Sequence, residues 1–226
     1  MAEKKQVSDA EHNEAVIARA KDFWSKYQKP VMIICAAIIL LGGGYYGYKK
    51  FVKEPKEEKA QDALFKAEEY FRMDSMQKAL NGDGLNPGFL KVIDRYGGTD
   101  AGNLAHFYAG ACFLQLGDYA NAVKHLKDFS TDAKQIQARA YKLLGDAYSE
   151  LGKNDDAVSN YKKAAAHFPE DQANSAEALF FAAALSEKAG KTNDAIALYK
   201  ELKEKFPQTQ QGFEADKYLA KMGVYN

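Results

Sequence analysis

Three regimes of apolar patterning divide the chain. Residues 1–30 are mostly polar, yet Val16, Ile17, Ala20, Phe23, Trp24 and Tyr27 recur on roughly one helical face, behind a Ser8–Glu11 pair at capping-box spacing. Val31–Tyr48 then runs for eighteen residues without a charge. As a helix that run reaches about 27 Å, close to the roughly 30 Å hydrocarbon core of a bilayer. Residues 49–59 are a charged connector containing Pro55. From Ala60 onward apolar positions return at spacings of three and four, in segments broken by Gly, Asn and Pro. The pattern predicts an all-α chain.

The helical segments share a register. Tyr141, Leu144-Gly145, Tyr148, Ala157, Tyr161, Ala164 and Pro169 describe two antiparallel helices in a unit of about 34 residues. Gly145, Ala157 and Ala164 are small where the helices would touch, and Tyr148 and Tyr161 fill the remaining space. Gly152 ends the first helix and Pro169 stops the second. Upstream, Gly110, Phe113, Leu116-Gly117, Ala122 and Leu126 keep the offsets; downstream, Ala183, Ala195, Tyr199 and Pro207 do. The unit resembles a tetratricopeptide repeat, which implies an α-solenoid. One such pair cannot bury its own apolar face, so neighbours must stack on it.

The expected organisation is a tail at 1–30 with a juxtamembrane amphipathic helix, a transmembrane helix at 31–48, the connector at 49–59 and a repeat domain at 60–226. Within the domain, 60–97 is an irregular opening unit, with repeats at about 103–136, 138–171 and 176–209 and a capping helix at 211–222. The opening unit has Ala63, Leu64, Ala67, Tyr70 and Phe71 on one face and FLKVIDRY (89–96) as its second helix. Between them GDGLNPG (82–88) reads as a turn; Asn81 and Asp83 lack the later ligands of a calcium loop. Thr99 is placed to cap the next helix. In the cap, Phe213, Ala215, Leu219 and Met222 are expected to be buried.

A retained span fits the apolar run better than a cleaved leader, because the polar stretch ahead of it is too long and no small-x-small site follows. Trp24, Tyr27, Tyr45, Tyr46 and Tyr48 sit where interfacial aromatics belong. Gly43 and Gly47 form a small-xxx-small pair suited to packing against another transmembrane helix; easing the helix end is the competing role. Charge leaves orientation open, with Arg19, Lys21, Lys26 and Lys29 on one side against Lys49, Lys50, Lys53, Lys56 and Lys59 on the other.

Net charge is zero, with 31 basic and 31 acidic residues, so no electrostatic footprint for nucleic acid exists. Cys35 and Cys112 fall in different regimes and suggest no pairing. No nucleophile motif, phosphate-cradling loop or metal-ligand spacing occurs, and His12, His106, His125 and His167 are dispersed. Neither enzyme chemistry nor a cofactor or small-molecule substrate is expected. Asp155-Asp156 and Glu57-Glu58 read as helix starts or solvated connector.

A repeat stack offers instead a surface lined by the first helix of each pair. The inward positions are Leu104, Phe107, Ala111 and Leu114; Arg139, Lys142, Asp146 and Ser149; and Glu177, Phe180, Ala184 and Glu187. The first set is apolar, the second mixed, the third apolar with acidic edges. Such a groove suits an amphipathic helix or an unfolded segment, unless the opening unit and its loop cover Leu104 and Phe107. Adaptors that clamp a chaperone's C-terminal carboxylate carry Lys and Asn in the first groove helix. Phe107 and Ala111 stand there instead, with Leu143, Glu177 and Phe181 at the other clamp places.

Tail, span, irregular pair and repeats, joined through Tyr96-Gly-Gly-Thr-Asp-Ala, together resemble the YfgM-like family of single-span bacterial repeat proteins. The resemblance implies an ancillary subunit of the SecYEG translocon in the inner membrane. It further implies an N-in topology and a periplasmic repeat domain that contacts chaperones or unfolded clients. The same architecture could serve another envelope machine, or face the cytosol as a receptor for targeting sequences.

Overall fold

The computed structural model describes the backbone of residues 2–225 and the side chains of residues 14–225. Among them the fold is almost wholly helical, without strands. The chain divides into two compact units, Met1–Pro55 and Lys56–Asn226.

The first unit is dominated by α1 (Ala2–Tyr48), with Pro30 inside it, followed by a π-helical segment at Lys49–Lys53. The tail is therefore not separated from the apolar run by a break. The backbone is helical from Ala2, upstream of the Ser8–Glu11 pair, whose side chains lie outside the described residues, as does that of His12. The helix is long and apolar enough to cross a membrane by length and composition. Its apolar side chains are exposed, Ile39, Leu40 and Leu41 by more than 70% each, so it is not a core helix.

Helix α2 (Glu54–Arg72) starts inside the charged connector, upstream of the apolar periodicity. Pro55, its second residue, follows directly on the π-helical segment, where the helical hydrogen-bond pattern is already altered. Ala60, Leu64 and Ala67 are its buried face. A short α3 (Met76–Asn81), unexpected from the sequence, and α4 (Phe89–Tyr96) complete the opening unit. The loop between them is tied by Asp83, whose carboxylate accepts from the amides of Leu85 (2.9 Å) and Asn86 (2.6 Å) and from the Tyr70 hydroxyl (2.7 Å). These donors hold the Asp83 carboxyl far below the usual carboxylate range, the Asn86 amide first among them.

Three helix pairs follow: α5 (Asp100–Gln115) with α6 (Tyr119–Asp128), α7 (Lys134–Glu150) with α8 (Asn154–His167), and α9 (Gln172–Lys188) with α10 (Thr192–Lys205). Then comes α11 (Gln210–Lys221). Each helix packs on the next in sequence, from α4 through α11. Gly152 closes α7 at φ +71°, a conformation that strains any residue with a Cβ. Within a pair the approach is close: a Cβ on Gly145 would lie 2.6 Å from the Tyr161 ring.

Two junctions use one device. The Thr99 hydroxyl donates to the Tyr96 carbonyl (2.6 Å) and accepts from the Gly102 amide (3.0 Å). Thr209 does the same between Phe206 (2.8 Å) and Gly212 (3.1 Å). Glu57 adds a second cap to α5, its carboxylate accepting from the amides of Asp100 (2.8 Å) and Ala101 (2.9 Å). Of its two expected places, helix start and solvated connector, Glu57 thus takes the first, in the opening turn of α2 and against the start of α5. In α11 the buried residues are Gly212, Ala215 and Leu219, and Phe213 is 84% exposed. The expectation that Phe213 is buried fails by one position. Gly212 takes the inward place, where any side chain would strike the Phe206 carbonyl.

Candidate partner-binding face

The twelve residues assigned to the inward face have different fates. In the first repeat Phe107 and Ala111 are buried, and Leu104 and Leu114 half-buried. Phe107 packs with Leu126, Phe129, Ala140 and Leu144, its ring 5.3 Å from that of Phe129. Leu104 is shared between this cluster and the core of the opening unit. The loop at 82–88 takes no part in that cover, since Leu85 at its tip is 92% exposed. Over Phe107 the cover comes from Leu126 and Phe129 at the end of α6 and from α7, and over Leu104 the opening unit shares in it.

The second and third repeats leave a mixed row. Arg139 is exposed, and Lys142, Asp146 and Ser149 are half-buried. Lys142 Nζ stands 3.6 Å from Asp146 Oδ2 and 3.5 Å from Glu177 Oε2, so it bridges the two repeats. It also lies 4.9 Å over the Phe181 ring. The Tyr161 hydroxyl donates to Asp146 Oδ1 at 2.8 Å. Burial raises the Asp146 carboxyl above its ordinary value, while Lys142 and Tyr161 act against that rise. Burial also raises the Tyr161 phenol, so it stays a donor.

Phe180 is half-buried at the edge of an aromatic group, 5.2 Å from Tyr218 and 6.0 Å from Tyr199. Tyr199 and Tyr218 stack at 5.0 Å. The Tyr199 hydroxyl donates to Glu187 at 3.3 Å, Glu187 itself being exposed, and Ala184 is half-buried between these edges. The row from Lys142 to Tyr218 therefore combines fixed charges with ring faces, which suits a polypeptide carrying both polar and apolar side chains.

The structure also joins two residues that looked dispersed. His106 on α5 and His125 on α6 place their Nδ1 atoms 3.2 Å apart. Burial lowers both imidazoles below the usual histidine value. The signal was present in the register: His106 lies four residues before Gly110, and His125 three after Ala122. Those offsets select Tyr141 and Asn160 in the second repeat. Among the described residues no three His, Cys, Asp or Glu side chains gather as metal ligands. Burial pushes the Cys112 thiol up to about 12, which makes it a packing residue. In α1, Gly43 and Gly47 have open space around them.

Stacked helix pairs with small residues at each contact, an irregular opening unit and a half-open polar–aromatic row define a helical-repeat protein of the interaction type. A family model described as a tetratricopeptide repeat-like domain matches residues 21–141, more than half of the chain, and one described as a tetratricopeptide repeat matches 142–208. The chain belongs to the tetratricopeptide repeat-like family. No curated protein matches it.

Proposed function

We propose that this protein is a membrane-anchored scaffold that holds polypeptide segments against its second and third repeats, as an ancillary subunit of the Sec translocon. In this reading α1 spans the bacterial inner membrane with the N-terminus inside. The repeats stand on the periplasmic side and link SecYEG to chaperones or emerging clients. The observation that carries it is the pairing of an apolar helix with a repeat face on which Lys142, Asp146, Glu177 and Phe180 are all half-open. The match that begins at residue 21, ahead of the apolar run, supports treating anchor and repeats as one functional unit. The translocon itself rests on the resemblance to YfgM-like proteins. Near-equal basic flanks keep a second reading in play, in which the same anchored scaffold serves another envelope machine or faces the cytosol.

The test is purification in mild detergent through a C-terminal tag, with mass spectrometry of co-purifying proteins. Channel subunits and envelope chaperones should appear, and the channel should be lost when Val31–Tyr48 is exchanged for an unrelated span. Loss in Gly43→Leu/Gly47→Leu would assign the contact to the glycine pair. Another complex in place of the channel would retain the scaffold and end the translocon assignment.

A further inference from the structure

The groove reading leaves the histidine pair of the first repeat unused. We propose that His106 and His125 chelate a divalent transition-metal ion, copper(II) being the favoured member, with water completing the coordination. Two nitrogens held about 2.0–2.1 Å from one metal lie roughly 2.9 Å apart at a right angle and roughly 3.4 Å apart in a tetrahedron. The two Nδ1 atoms are 3.2 Å apart. That separation falls between the two values, on side chains whose rings can turn about their own bonds.

The pair is also held ready. The rings come from facing helices of one repeat, and Phe113 stacks on the His125 ring at 5.4 Å and 14°. His125 is buried and His106 half-buried. Packing does not require imidazoles here. The same register positions hold Tyr141 and Asn160 in the second repeat, and Leu179 and Leu198, both buried, in the third. Without metal, one Nδ1 must donate to the other, so binding a metal moves that proton to the Nε2 of the same ring or releases it. Asp128, one turn beyond His125, acts on both rings as a negative charge; Lys124 opposes it. Two nitrogen ligands select first-row metals in the order that peaks at copper(II), with water at the remaining positions.

The experiment uses the full chain in detergent, purified through a histidine-free tag. It is titrated with copper(II), nickel(II) and zinc(II) chlorides by calorimetry, with electron paramagnetic resonance of the copper form. The comparison proteins are His125→Asn and the double variant His106→Tyr/His125→Asn, which installs the second repeat's own pair. One copper ion per chain with a two-nitrogen signature is expected. Binding should be weaker by tenfold or more in both variants, with an unchanged helical spectrum. Copper bound with equal affinity in the double variant overturns the proposal, because His12, His167 or another group then holds the metal. So does failure of all three metals to bind below about 100 μM. If the double variant does not fold, His125→Asn decides: a retained two-nitrogen signal refutes the site, and its loss supports it.

Discussion

The first and second repeats share a frame and differ in how they finish it. Both set a glycine against the partner helix, at Gly110 and Gly145. The second helix of the first repeat has 10 residues and that of the second has 14. Phe129, just past the end of α6, is buried with its ring 5.3 Å from that of Phe107; the same offset in the second repeat holds the small Ala164. In the second repeat α8 runs on to His167, and the inward positions hold Lys142 and Asp146, which stay half-open. The residues at two matching positions thus separate a repeat that packs, with Phe107 and Phe129, from a repeat that presents, with Lys142 and Ala164. The repeat frame sets where side chains point; their size and charge set whether the face closes.

The comparison can be broken hardest at Phe107. Phe107→Ala removes a buried ring from the first repeat's core and should cost about 4 kcal/mol, read as a lowered urea midpoint by circular dichroism. Were Phe107 a groove residue, stability would barely change. Gly145→Ala should cost about 2 kcal/mol in the second repeat, because its methyl meets the Tyr161 ring. Glu57→Ala leaves two α5 amides without their carboxylate and should cost about 1 kcal/mol, with faster amide exchange at Asp100 and Ala101.

The histidine pair sharpens the contrast through pH. Both folded imidazoles are lowered by burial, with Lys124 adding to the effect and Asp128 opposing it. The unfolded chain therefore takes up protons first as pH falls below about 6.5, and stability declines over that window while being unaffected above it. The first repeat should lose amide protection before the second, and His106→Tyr/His125→Asn should flatten the profile. The smallest stability effect belongs to Lys142→Ala, at about 0.5 kcal/mol or less for a half-exposed ion pair. Its consequence should appear in captured polypeptides rather than in unfolding, opposite to Phe107→Ala.

Much of this plan was legible in the chain, for stated reasons. The helix pairs follow from Gly145, Ala157 and Tyr161 recurring at fixed offsets, and Thr99 reads as a cap from its place before Asp100. The same Thr motif at Thr209 went unread, since FPQTQQG shares only its first, fourth and seventh positions in kind with YGGTDAG. Phe213 misled because an aromatic at helical spacing counts as core in any pattern, whereas the tight approach to the Phe206 carbonyl admits only glycine inward. The histidines stand 19 residues apart, and only the repeat register, through their offsets from Gly110 and Ala122, relates them.

What the sequence determined by itself is everything that depends on period and composition: an apolar run long enough to cross a bilayer, helices where apolar residues recur at three and four, and turns where Gly and Pro interrupt them. These are local free energies, set by backbone propensity and by the face each segment must bury. Tertiary structure alone decided that Glu57 caps α5 across 43 residues, that His106 meets His125, and that Phe129 covers Phe107 while Lys142 stays half-open. Each depends on which side chains two packed helices bring face to face, a contact in space that local residue spacing does not state by itself.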